Sequence, residues 1–170
     1  MSTPPAVPGA FYWTETALSV VGAGIAGTLW WAHRSNIELP CTGDGHGCDL
    51  VNDSPWAHVT LGPWHDVPVA LLGFLTYLVL LTLAMMKLGA DTERGRRRLH
   101  GPFWAISLFG AGYSLYLQYV AHVEIGAFCV WCFSSAVVMA LLFLTATVEA
   151  VRRRSAPSAA SPETGPVIHV

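Results

Sequence analysis

Four stretches of the chain contain no Lys, Arg, Asp or Glu: residues 16–32, 67–86, 99–123 and 125–148, which are 17, 20, 25 and 24 residues long. The charged residues are crowded into the segments between and outside them. A helix needs about 20 mostly apolar residues to cross a bilayer, and a lone charge at mid-depth is costly. The pattern predicts an all-α membrane protein, a bundle of four transmembrane helices, with its first span at the short end of the range. A cleaved signal peptide is the competing reading of that first span. Residues 1–14 hold no Lys or Arg, whereas a signal needs a basic stretch before a shorter apolar core.

Composition supports the same class. The 170-residue chain is 53% hydrophobic and 12% charged, with a formal net charge of −2. That excludes an ordinary soluble domain and gives no basic surface for nucleic acid. The lipid bilayer is the first partner to expect.

The placement of charge sets an orientation. Lys87, Arg94, Arg96, Arg97 and Arg98 lie between the second and third spans, and Arg152, Arg153 and Arg154 follow the fourth. The loop of residues 34–66 has Arg34 but also Glu38, Asp44, Asp49, Asp53 and Asp66. Positive-inside bias predicts cytoplasmic termini, with residues 34–66 and the tight turn at His122–Glu124 facing outward. The expected organisation is a cytoplasmic disordered N-terminus over 1–15, a membrane domain over 16–150 and a cytoplasmic disordered tail over 151–170. Pro, Ser and Ala dominate both ends.

One motif is refused. Gly22–Gly27 reads GAGIAG, which matches the glycine pattern of dinucleotide-binding turns. That pattern needs a strand, a turn and a helix in a βαβ unit, and here it lies inside a single apolar run. Small residues that let membrane helices approach closely are the simpler reading.

The four cysteines all fall at or near the predicted outer face, where oxidation is permitted. Cys129 and Cys132 are expected in the first two turns of the fourth span. Residues at i and i+3 share a helix face, close enough for a disulfide. A helix start favours the thiolate of Cys129. A structural bridge there would close a very short loop and gain little chain entropy. Cys41 and Cys48 enclose TGDGHG, a glycine-rich segment suited to a thiol that exchanges partners, or else to a simple staple. A zinc site drawing on the cysteines with His46, His58 and His65 is the metal alternative. The six-residue gap between Cys41 and Cys48 argues against it, so no metal is expected. Any of these histidines could assist proton transfer, and spacing nominates none.

Beyond the loop cysteines comes NDSPWAHVTLGPWHD. Ser54 suits an N-cap, Pro55 the first helical position, and Gly62-Pro63 a stop. The expectation is a two-turn interfacial half-helix in the outer loop, anchored by Trp56 and Trp64, covering the mouth of the bundle.

Taken together, these residues resemble the vitamin K epoxide reductase family in its bacterial, disulfide-forming branch. The resemblance rests on Cys41-x6-Cys48, on Ser54 six residues further on, on VPVALLGFLTYLVLL, and on YSLYLQYV followed by IGAFCVWC. It covers about residues 17–144. It implies a four-helix bundle with a half-helix in its outer loop, placed in a bacterial plasma membrane. It implies that Cys129 and Cys132 form the active pair beside a quinone pocket, with Cys132 passing electrons to the quinone. Cys41 and Cys48 are implied as the shuttle pair, Cys48 bridging to Cys129 and Cys41 meeting the external partner, with Ser54 near the pocket. The electron acceptor would be menaquinone or ubiquinone, and the partner a separate periplasmic thioredoxin-like protein of DsbA type.

Two departures from family members that reduce the epoxide point away from that activity: Ala136 replaces a tyrosine and Val69 an asparagine. An unrelated four-span quinone oxidase type, DsbB, places its cysteine pairs in the reverse order. A non-enzymatic membrane scaffold with structural disulfides is the alternative of a different class.

Overall fold

The computed structural model describes residues 9–35, 37, 47–52, 54–61 and 64–155. Cys41, Gly43, Gly45, His46 and the outermost tails lie outside the described residues, as do Gly62 and Pro63. The described elements are helix α1 (Ala10–Ser35), a short helix α2 (Gly47–Asn52), a 3-10 turn (Pro55–Ala57) and strands β1 (His58–Leu61) and β2 (Trp64–Pro68). Helices α3 (Val69–Leu88), α4 (Glu93–Val120) and α5 (Val130–Ser155) follow.

The four long helices match the four charge-free stretches. Helix α1 packs on α3 and α5, and α4 packs on the same two. The core is built from small residues set among a few large ones: Ala23 and Ala26 from α1, Tyr77, Leu80 and Ala84 from α3, Phe103 and Ala111 from α4, Met139, Leu142 and Ala146 from α5. Such residues let membrane helices approach closely. The glycine run of α1 serves that contact: a methyl group at Gly22 would collide with the Tyr77 ring, and one at Gly27 would lie 3.3 Å from Phe74. A hydrogen bond from Trp104 Nε1 to Thr147 Oγ1 at 3.0 Å helps tie α4 to α5.

The outward faces are greasy. Val20, Val21, Leu75, Val79, Met85, Phe109, Leu115 and Leu144 are all exposed, a surface that suits lipid and not water. Helices α3 and α5 are long and apolar enough to cross a bilayer. Helix α1 begins at Ala10 and α5 runs to Ser155, so both extend beyond the membrane domain expected over 16–150. Residues 10–15 are helical because Tyr12 and Glu15 are buried in the bundle.

The two-turn half-helix is corrected. Only Pro55–Ala57 coil, as one 3-10 turn, and the chain then forms an antiparallel hairpin pairing His58 with Pro68 and Val59 with Val67. Val59 and Thr60 are β-branched and favour a strand. Ser54 makes no side-chain cap to this turn.

Helix starts and stops position the ends of the bundle. Thr92 Oγ1 caps α4 by accepting from the Gly95 N–H at 3.3 Å. Helix α4 loosens into a π turn, Ala121–Ile125, which closes on Gly126 at φ 67, a conformation that favours glycine. The expected tight turn is thus a π turn followed by a short connector into α5. Helix α1 ends, α3 begins, α4 ends and α5 begins at one end of the bundle, called here the cysteine end.

Candidate active site

Cys129 immediately precedes α5 and acts as its N-cap, since its carbonyl accepts the Phe133 N–H at 2.9 Å. Cys132 lies in the first turn. The Cys132 N–H donates to Cys129 Sγ at 3.2 Å, so a helix-start donor is aimed at that sulfur. This is the thiolate-favouring arrangement the sequence anticipates. The Cys129 and Cys132 sulfurs lie 2.6 Å apart, so a disulfide between them would need little movement. Cys129 is buried and Cys132 half-buried.

Cys48 sits in α2, fully buried and disulfide-bonded. Helix α2 packs against α5, the 3-10 turn and the π turn. Cys48 is thereby placed at the same end of the bundle as Cys129. Cys41 lies outside the described residues.

Between the four helices, and reaching the cysteine end, lies a cavity of about 690 Å³. Cys132 lines it, as does Ser54. Its walls are otherwise mostly apolar, with Leu29 from α1, Val69 and Leu72 from α3, Phe109 and Leu117 from α4, and Met139 from α5. Thr76, Tyr77, Ser114, Gln118 and Ser135 supply its polar groups. Several of these are already committed. Tyr77 OH donates to the Ser135 carbonyl at 2.8 Å, Thr76 Oγ1 to the Leu72 carbonyl at 2.8 Å, and Ser54 Oγ to the Val51 carbonyl at 2.7 Å. Ser54 can therefore offer the cavity only lone pairs. An apolar cavity with a few polar groups and a thiol in its wall suits a flat, lipid-soluble reactant.

Of the residues singled out in the sequence, Cys48, Ser54, Cys129 and Cys132 are brought to one end of the bundle. The side chain of His65 lies outside the described residues. His58 is placed beside Ser54, with its Nδ1 3.3 Å from the Ser54 carbonyl. Sequence reasoning missed Gln118, Ser135 and Tyr77 as cavity residues. All three lie in or beside the stretches quoted for the resemblance, but nothing in their spacing separates them from lipid-facing neighbours.

The opposite end carries a buried ion cluster that the sequence did not suggest. Lys87 Nζ bridges Glu15 Oε2 and Glu149 Oε2, each at 2.7 Å, and all three side chains are fully buried. His100 Nδ1 lies 3.1 Å from Glu149 Oε2. Arg153 reaches Glu149, Glu93 and the Tyr12 hydroxyl, the last at 2.9 Å. Helices α1, α3, α4 and α5 all contribute to it.

The bundle, the cysteine pair at the head of its last helix and the apolar cavity agree with one comparison. The vitamin K epoxide reductase family matches residues 13–147, a span that includes all four cysteines. Its members are membrane thiol oxidoreductases that use quinones, and this chain belongs to the vitamin K epoxide reductase family.

Proposed function

We propose that the chain is a thiol:quinone oxidoreductase of a bacterial plasma membrane, which reoxidises a separate periplasmic thioredoxin-like protein of DsbA type and so drives disulfide formation. The observation that carries this reading is the position of Cys132. It lines the apolar cavity while its sulfur lies 2.6 Å from that of Cys129.

In the proposed sequence, a thiolate of the reduced partner attacks the disulfide of Cys41 and Cys48. The partner leaves oxidised, and two thiols remain on the loop pair. Cys48 then attacks Cys129 in the oxidised Cys129–Cys132 pair, releasing Cys132. Cys41 displaces Cys129 from Cys48, so the loop disulfide is restored. Each exchange breaks one S–S bond and forms another. The reduced Cys129–Cys132 pair returns to the disulfide as the quinone substrate takes two electrons and two protons. Electrons leave through Cys132 because it, and not Cys129, is in the cavity wall. The Cys132 N–H favours Cys129 as the thiolate that leaves when Cys41 completes the exchange. Ser54, whose own proton is engaged by Val51, would accept from an O–H of the hydroquinone formed on reduction.

Reduction of vitamin K epoxide is the other reading within the family. Val69 lines the cavity with an apolar side chain where an asparagine is expected for that reaction. Quinone is therefore the better fit. The proposed topology puts the cysteine end at the extracytoplasmic face and both termini in the cytoplasm. A membrane-impermeant thiol reagent should then label the reduced protein in intact spheroplasts.

Purified protein with a short-chain quinone and a reduced thioredoxin-like substrate tests the reaction. Quinone reduction should require all four cysteines. Oxidised Cys41→Ser protein should accumulate a Cys48–Cys129 peptide by mass spectrometry. Its absence would contradict the shuttle.

A further inference from the structure

At the end opposite the cysteines, the first turns of α4 have two distinct faces. Residues 93, 96 and 100 turn toward the bundle: Glu93 meets Arg153 and Arg96, the Arg96 guanidinium lies 5.6 Å from the Tyr12 ring, and His100 reaches Glu149. Arg94, Arg97 and Arg98 share the other face, since residues three and four apart are neighbours on a helix. All three are exposed, and none has a carboxylate within ion-pair distance among the described residues. The cluster takes up Glu15, Glu93 and Glu149 and leaves this face uncompensated. These positions do not serve the helix itself. Like charges at this spacing repel, and cations are unfavourable at a helix start.

The second observation is the level at which this face lies. Trp13 and Trp31 are exposed near the two ends of α1, about 27 Å apart along the helix, close to the thickness of a hydrocarbon core. Tryptophan favours the membrane interface, so Trp13 marks the headgroup level. The contact between Arg96 and Tyr12 puts the first turns of α4 at that same level. Below the arginines the face continues through Gly101, Ala105 and Leu108, all exposed. A methyl group at Gly101 would meet nothing within 4 Å, so the helix surface is low and open there. Leu108 lies about 15 Å below Arg98, the depth of one leaflet's hydrocarbon. A cationic head above an open apolar track of that depth complements a single phospholipid in both charge and shape.

We infer that this face of α4 binds an anionic phospholipid, with Arg94, Arg97 and Arg98 on its headgroup phosphate and its acyl chains over Gly101, Ala105 and Leu108. Helix side chains lean toward the N-terminus, which here carries the three guanidinium groups away from the apolar track and into the headgroup layer. Guanidinium groups pair with phosphate oxygens through two parallel hydrogen bonds. The lipid neutralises the mutually repelling arginines. It thereby stabilises the turns of α4 that present Glu93, Arg96 and His100 to the ion cluster. The site uses no thiol and does not rest on the proposed redox reaction.

The test uses the full chain in an uncharged detergent, titrated with phosphatidylglycerol or with phosphatidylcholine. Native mass spectrometry of the wild type should show phosphatidylglycerol retained in preference to phosphatidylcholine. Its melting temperature should rise with the anionic lipid, as binding to the folded state requires. Equal retention of the two lipids overturns the site, and this measurement needs no variant to fold. Replacing Arg94, Arg97 and Arg98 together by Gln should weaken phosphatidylglycerol binding about fivefold for each arginine removed. Arg34→Gln, at the cysteine end, should leave it unchanged. A preference that survives the triple replacement but is lost in Arg152→Gln with Arg154→Gln would move the site to α5 and overturn the assignment to α4. Inorganic phosphate is the remaining arm. If it raises the melting temperature as far as phosphatidylglycerol does, the face takes a free anion and the lipid site is overturned.

Discussion

The two ends of the bundle solve opposite problems. At the end that carries Lys87, charge is buried and paired: one ammonium joins two carboxylates at 2.7 Å, and Arg153 adds Glu93 and Tyr12. At the cysteine end, by contrast, a mostly apolar cavity of about 690 Å³ is left open, and the described connections include a hairpin, a 3-10 turn and a π turn. Burying charge is expensive unless it is paired, so the first end resists any rearrangement that would part Lys87 from Glu15 and Glu149. Thiol exchange and quinone entry need local freedom, and such segments are drawn from the less stable part of a fold. The comparison teaches that the ion cluster fixes how the four helices meet, and the site is built where that constraint is weakest.

The largest expected effect belongs to the cysteine end. Cys132→Ser should reduce quinone turnover to background while leaving the melting temperature close to wild type. The Cys41 and Cys48 pair should still exchange with a reduced thioredoxin-like protein, read by alkylation and mass shift. Normal turnover by this variant would show that electrons leave by another group. The proposed division of roles between Cys129 and Cys132 would then be wrong.

The opposite end should respond in stability and not in chemistry. Lys87→Met leaves Glu15 and Glu149 facing each other without their shared cation. Breaking a buried pair by removing one partner costs about 3–5 kcal/mol, which should appear as a clear fall in melting temperature in detergent. Turnover per folded molecule should stay near that of the wild type. A variant that melts normally but no longer reduces quinone would erase the distinction between the two ends.

Gly22→Ala tests the packing that links them. The added methyl runs into the Tyr77 ring, whose hydroxyl holds Ser135 at the cavity wall. Overpacking typically costs about 1–3 kcal/mol, and displacing Tyr77 should also weaken quinone binding. A rise in quinone KM together with a lower melting temperature is the expected pair of results. A stability loss alone would mean that the Tyr77–Ser135 contact is not transmitted to the cavity.

Much of this was legible in the chain, because absence of charge over about 20 residues has few physical explanations other than lipid. The pairing of Cys129 with Cys132 at a helix start was legible too, because it depends on local geometry alone. The hairpin was not. Ser54 and Pro55 are start signals that serve a single 3-10 turn as well as a longer helix, and the β-branched pair Val59–Thr60 decides between them. The cavity was hidden for a different reason: its wall is assembled from helices far apart in sequence. The ion cluster left a trace that could have been used. Glu15 immediately precedes the first charge-free stretch, while Lys87 and Glu149 immediately follow the second and fourth. In an alternating bundle these three positions fall at the same end, where opposite charges can meet.

The smallest expected effect concerns Gln118, a cavity residue that only the three-dimensional arrangement singles out. It lines the wall from α4, on the opposite side of the cavity from the contributions of α1. Its side-chain amide can donate to a quinone oxygen, whereas the Ser54, Thr76 and Tyr77 hydroxyl protons are held by backbone carbonyls. Losing one neutral hydrogen bond costs about 0.5–1.5 kcal/mol. Gln118→Leu should therefore raise the quinone KM by about 2- to 10-fold, with little change in melting temperature because the new side chain is apolar and of similar size. The effect should be the same for short- and long-tailed quinones, since the amide would meet the ring and not the tail. A KM that changes only with long-tailed quinones would place Gln118 against the tail instead. An unchanged KM for both would remove it from the site and leave Ser114 as the next α4 side chain to test.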